Sequence, residues 1–92
     1  MKFIPLSGID PFSEEPDAAN TIYVRPENII HMEFYSGPFG LQAYGPDGKC
    51  TFTGKHKQIL GGTMVWLGVG GQRIVLETPK AIMELIKGPG FD

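Results

Sequence analysis

Cysteine is nearly missing from this chain: among 92 residues only Cys50 carries a thiol, so no intrachain disulfide can staple the fold. Such usage fits a reducing compartment, and the cytoplasm is the expected location. A long apolar run is also lacking. The opening stretch MKFIPLSGID is broken by Pro5 and ended by Asp10, which makes it too short for a signal peptide or a membrane span. Charge of one sign is scarce as well: ten acids against eight Lys and Arg leave a net charge of −2. That balance gives no blanket attraction to nucleic acid or to an acidic membrane, so any such site must be local.

The soft and imidazole ligands are limited to Cys50, His31 and His56, and none stands at the paired spacings that assemble a zinc site, so no metal and no cofactor is expected. Nucleotide loops fail on order. Gly68-Val69-Gly70-Gly71 runs straight into the strand-like RIVLE rather than into a helix N-terminus, and Gly54-Lys55 lacks both the upstream glycine and the following Ser or Thr of a Walker A loop. His31 and Glu33 share one face of a strand, but no motif places a nucleophile beside them, and they read as an ordinary exposed pair. Cys50 with His56 would need an orienting group and an oxyanion site, so Cys50 reads as a half-buried strand cysteine. The chain is therefore expected not to be an enzyme, with an unrecognised site as an alternative.

What the chain has in quantity is turn chemistry: 13 Gly and 8 Pro accompany 41% apolar residues, the composition of a folded, mainly β domain. One domain with one modest core is what 92 residues allow. The segment Thr63 to Lys87, TMVWLGVGGQRIVLETPKAIMELIK, organises the rest. Met64 and Trp66 alternate with Val65, Leu67 and Val69, and Ile74 and Leu76 with Val75 and Glu77, which gives two strands around Gly70-Gly71-Gln72. Thr78 before Pro79 is a hydroxyl N-cap followed by the residue best suited to the first helical position, and Gly88-Pro89 closes a helix of about two turns. Ile82, Leu85 and Ile86 make its apolar face.

Upstream, Lys2 to Leu6 reads as a strand and Ser7 to Asn20 as an exposed acidic loop, in which Phe12 can pin the loop to the body or meet a partner. Thr21 to Arg25 and Ile29 to Tyr35 read as central strands, with Ile30, Met32 and Phe34 on one face and Ile29, His31, Glu33 and Tyr35 on the other, a mixed surface open either to solvent or to another subunit. Gly37-Pro38-Phe39-Gly40 and Gly45-Pro46-Asp47-Gly48 are expected turns around a strand LQAY, Lys49 to Thr53 is another strand, the chain becomes basic over Gly54 to Lys57, and Gly61-Gly62 marks a joint. Residues 36–62 thus form a hairpin insertion. Lys49, Lys55, His56 and Lys57 make the one basic patch, with Tyr44 and Phe52 nearby in sequence, the ingredients of a weak phosphate or single-strand contact.

KFIPLSGID, IYVRPENIIHMEF and the Thr63–Lys87 segment together, about half the chain, resemble the small bacterial proteins of the flagellar FlbD family. The resemblance implies a strand, a strand pair ending in an acidic residue matched by Glu33, a hairpin, a glutamate near the last strand matched by Glu77, and a short helix. It implies a small regulatory or interaction role and carries over no catalytic residue. The expected fold is a small antiparallel sheet of about six or seven short strands, curled or SH3-like and barrel-shaped, with one C-terminal helix. The expected function is a protein-interaction module, self-associating as a homodimer because a small sheet leaves bare edges. Single-stranded nucleic-acid binding through the Lys49–Lys57 hairpin is the alternative, and no membrane partner is expected.

Overall fold

Turn residues decide where this chain reverses, and they do so less often than their number suggests. The computed structural model describes residues 2–88. Strands β1 (Ile4–Ile9) and β2 (Ala19–Val24) pair antiparallel from Ile4 opposite Val24 to Ile9 opposite Ala19. A 3-10 turn, Pro26–Asn28, leads into β3 (Ile29–Tyr44), which pairs with β4 (Cys50–Leu67) in a long antiparallel hairpin. Its tip is Gly45-Pro46-Asp47-Gly48, where Gly45 donates to the Lys49 carbonyl and Gly48 supplies the positive φ of +78°. A second turn, with positive φ at Gly70 and Gly71, sends the chain back as β5 (Gly71–Val75) alongside β4. Helix α1 (Pro79–Lys87) ends the described chain.

The five strands form one antiparallel sheet in the order β2-β1-β5-β4-β3. It is an open sheet with β2 and β3 at its edges, not a closed barrel. Strand β1 joins β5 through the single pair Gly8–Val75, reinforced by the Leu76 N–H donating to the Ser7 carbonyl. The Glu77 carboxylate adds to this joint, accepting from the Ser7 N–H and hydroxyl at 2.8 Å each. Thr63, fully buried, donates its hydroxyl to the Glu77 carbonyl at 2.6 Å.

Ile4, Leu6, Val24, Val65, Val75 and Ile82 form the core, with Ile22, Ile29, Met32, Leu67, Leu85 and Ile86 packed against it. Each fully buried aliphatic side chain there contributes about 1.5–3 kcal/mol. The helix earns its place through that contact, since a helix this short does not persist alone. The Thr78 hydroxyl accepts from the Ala81 N–H at 3.2 Å, and Pro79 opens the first turn, as the sequence led us to expect. At the other end the Lys2 ammonium donates to the Ile86 and Gly88 carbonyls, placing a cation on the negative end of the helix. Pro89 lies outside the described residues.

Several expectations give way. Two long strands replace several short ones: Gly37-Pro38-Phe39-Gly40 lies inside β3, and Gly54–Lys57 and Gly61-Gly62 lie inside β4. Their turn-prone residues are spent on irregular register between Tyr35 and Gly37 and between Gly40 and Gln42, with positive φ at Gly37 and Gly54. The segment 36–62 is therefore the outer part of one hairpin. Strands β2 and β3 are edges rather than central. Ser7–Ile9 and Ala19–Asn20 extend β1 and β2, so the acidic loop shrinks to residues 10–18. Ile30 does not share a buried face with Met32. It sits at the register shift between Ile29 and His31 and is 71% exposed.

Candidate interaction surface

The outer part of the β3–β4 hairpin passes beyond the main core, and a two-stranded ribbon is marginal in water. The acidic loop supports it. Lys57 is buried, with its ammonium donating to the carbonyls of Asp10 at 2.7 Å and Glu15 at 2.9 Å and lying 5.9 Å from the centre of the Phe39 ring. Burial lowers the Lys57 pKa below its ordinary value, partly opposed by the carboxylates of Asp10 and Asp17. Phe12 stacks on Tyr44, with ring centres 5.0 Å apart and planes within 10°. This stack ties the loop to the hairpin, the first of the two roles open to Phe12, and leaves the ring 47% exposed. Ile9, Leu41 and Ile59 are buried apart from the main cluster.

This arrangement changes the basic patch. Lys49, Lys55 and His56 remain exposed, but Lys57 is drawn into the loop contact, and the His56 ring lies edge-on to Phe52 at 5.1 Å. Cys50 is exposed rather than half-buried, because it opens β4 at the tip of the hairpin, and its thiol donates to Gln42 Oε1 at 2.9 Å. The thiol is thus engaged with an amide, while the His56 ring is engaged with an aromatic.

The same loop blunts part of the β3 edge. The Gln42 N–H donates to the Pro11 carbonyl at 2.8 Å, and Pro38 has no N–H while its carbonyl accepts from the Tyr35 hydroxyl. Proline and a covering loop are two ways a sheet hides an edge. The sequence shows the proline but not the loop, whose contact joins residues far apart in the chain.

The inner part of β3 is different. Ile29 is half-buried against the core and Tyr35 is half-buried, whereas His31 and Glu33 stand in solvent with Nε2 and Oε1 3.0 Å apart. The His31 ring tilts at 52° against Trp66 with centres 5.0 Å apart. On either side of this pair Ile30 and Phe34 are 71% and 62% exposed, and Leu60 on β4 is 88% exposed. Sequence reasoning missed Ile30 as a surface residue, because the register shift between Ile29 and His31 cannot be seen in an alternating pattern.

A groove of about 460 Å³ opens among β1, β2, β5 and the outer hairpin. Its lining includes Ile9, Phe39, Met64, Gln72 and Arg73 and holds no histidine, cysteine or carboxylate. Among the described residues no group of three or more His, Cys, Asp or Glu is set to hold a metal ion, and no helix is long and apolar enough to cross a membrane. Compared with family models, with curated proteins and with solved structures, the chain gives no match.

Proposed function

We propose that this protein is a cytoplasmic, non-enzymatic interaction module that works by self-association. The observation that carries this reading is the exposure of three large apolar side chains, Ile30 and Phe34 on the edge strand β3 and Leu60 on its neighbour β4. Large exposed apolar groups at a sheet edge without a neighbouring strand suit a surface that another chain covers. The resemblance to the FlbD family accords with a small regulatory role of this kind. Nucleic-acid binding is the weaker reading, because withdrawal of Lys57 leaves too small a cationic footprint for strong phosphate contact.

Light scattering of the purified protein across a concentration series tests the reading. The expected mass rises towards twice 10.1 kDa as concentration increases. A mass of 10.1 kDa at every concentration refutes self-association.

A further inference from the structure

We infer that two copies join through β3 itself, antiparallel, in the register that places Met32 on the two-fold axis. This rests on the self-association proposed above and names the surface and the pairing. In such an isologous contact each strand residue meets its mirror position in the second copy. With Met32 at the centre, His31 of each copy faces Glu33 of the other.

The pattern His31-Met32-Glu33 is thus complementary to its own reverse. An imidazole meets a carboxylate on either side of the centre, where Met32 meets Met32. Neighbouring registers lose this. Centring on Glu33 sets two carboxylates face to face, centring on His31 sets two imidazoles together, and a half-step places Glu33 against Met32. Directly opposed like charges destabilise a strand pair and opposite charges support it.

The surroundings favour this length of β3 over others. Towards the hairpin tip the edge is closed, since Gln42 donates to Pro11 and Pro38 has no N–H to offer. Towards the 3-10 turn the irregularity at Ile30 ends the regular ladder. Between these limits His31 and Glu33 have side chains 57% and 61% exposed. The other edge strand, β2, reads Ala19-Asn20-Thr21-Ile22-Tyr23-Val24 and carries no charge with which to select a register.

A charge exchange tests the pairing. His31→Glu and Glu33→Lys are made separately; both positions are exposed, so each variant should keep the unfolding midpoint of the wild type. Each alone is expected to stay near 10.1 kDa at concentrations where the wild type has doubled. In the first variant carboxylate meets carboxylate, and in the second an ammonium meets an imidazole. Mixed in equal amounts they should recover the doubled mass, because the carboxylate introduced at position 31 then faces the ammonium introduced at position 33. If the wild type doubles but both variants also double, or if the mixture does not recover, the β3 register is wrong while self-association stands. If the wild type never doubles, both fall.

Discussion

Gly61 and Gly62 are adjacent, and a methyl group added to each meets very different surroundings. At Gly62 the new carbon would lie 2.3 Å from the Val75 carbonyl oxygen, whereas at Gly61 it would lie 3.5 Å from the Phe34 ring. Real side-chain carbons essentially never approach closer than 3.0 Å, so the Val75 carbonyl must retreat by about 0.7 Å. Val75 cannot retreat freely. It is fully buried and is held on one side by Thr63 and on the other by Gly8. Overpacking against backbone of this kind costs about 1–3 kcal/mol. Replacing glycine by alanine also removes unfolded-state entropy, which stabilises by about 0.4–1 kcal/mol and is common to both sites. Gly61→Ala is therefore expected to be neutral or stabilising by up to about 1 kcal/mol, since the exposed Phe34 ring can shift. Gly62→Ala should fall below it by about 1–3 kcal/mol. Urea unfolding followed by the fluorescence of Trp66, the single tryptophan, reads both. Equal midpoints for the two variants would refute the close approach of β4 to β5 on which the argument stands.

Two further perturbations probe other parts of the fold. Burial holds the Lys57 pKa below its ordinary 10.5, so between that lowered value and 10.5 the unfolded chain binds more protons than the folded one and stability rises with pH. Lys57→Met should abolish this alkaline rise and, by stranding the Asp10 carbonyl, cost about 1–3 kcal/mol near neutral pH; an unchanged pH profile of the unfolding midpoint would place the ammonium in solvent. Ile82→Ala, at a fully buried position, should cost about 2–5 kcal/mol by chemical denaturation, and a neutral result would mean that the helix is not docked.

The elements legible in the sequence are those fixed by local chemistry. Thr78-Pro79 set the helix start, the Ile82, Leu85 and Ile86 spacing set its buried face, and Gly70-Gly71 set the last turn. The elements that were misread depend on partners distant in sequence. Gly37-Pro38-Phe39-Gly40 has every mark of a turn, yet pairing with Ile59 through His56 on β4 keeps it extended. Lys57 looks like a surface cation until the loop carbonyls of Asp10 and Glu15 are brought over it. The site was half visible: His31 and Glu33 could be placed on one exposed face by alternation alone. The exposure of Ile30 could not, because a single inserted residue reverses the expected face.

The union of β1 with β5 also bears on the order in which the structure can form. Strand β1 is synthesised before the strand that shelters its inner side, β5, and before the helix that covers Ile4 and Leu6, which come from residues 71–87. Until those arrive the β1–β2 hairpin has almost none of its apolar partners, and contacts between such distant segments form slowly. The nascent chain therefore carries an exposed hairpin until residues 71–87 have been made, and the Glu77–Ser7 joint closes only after that.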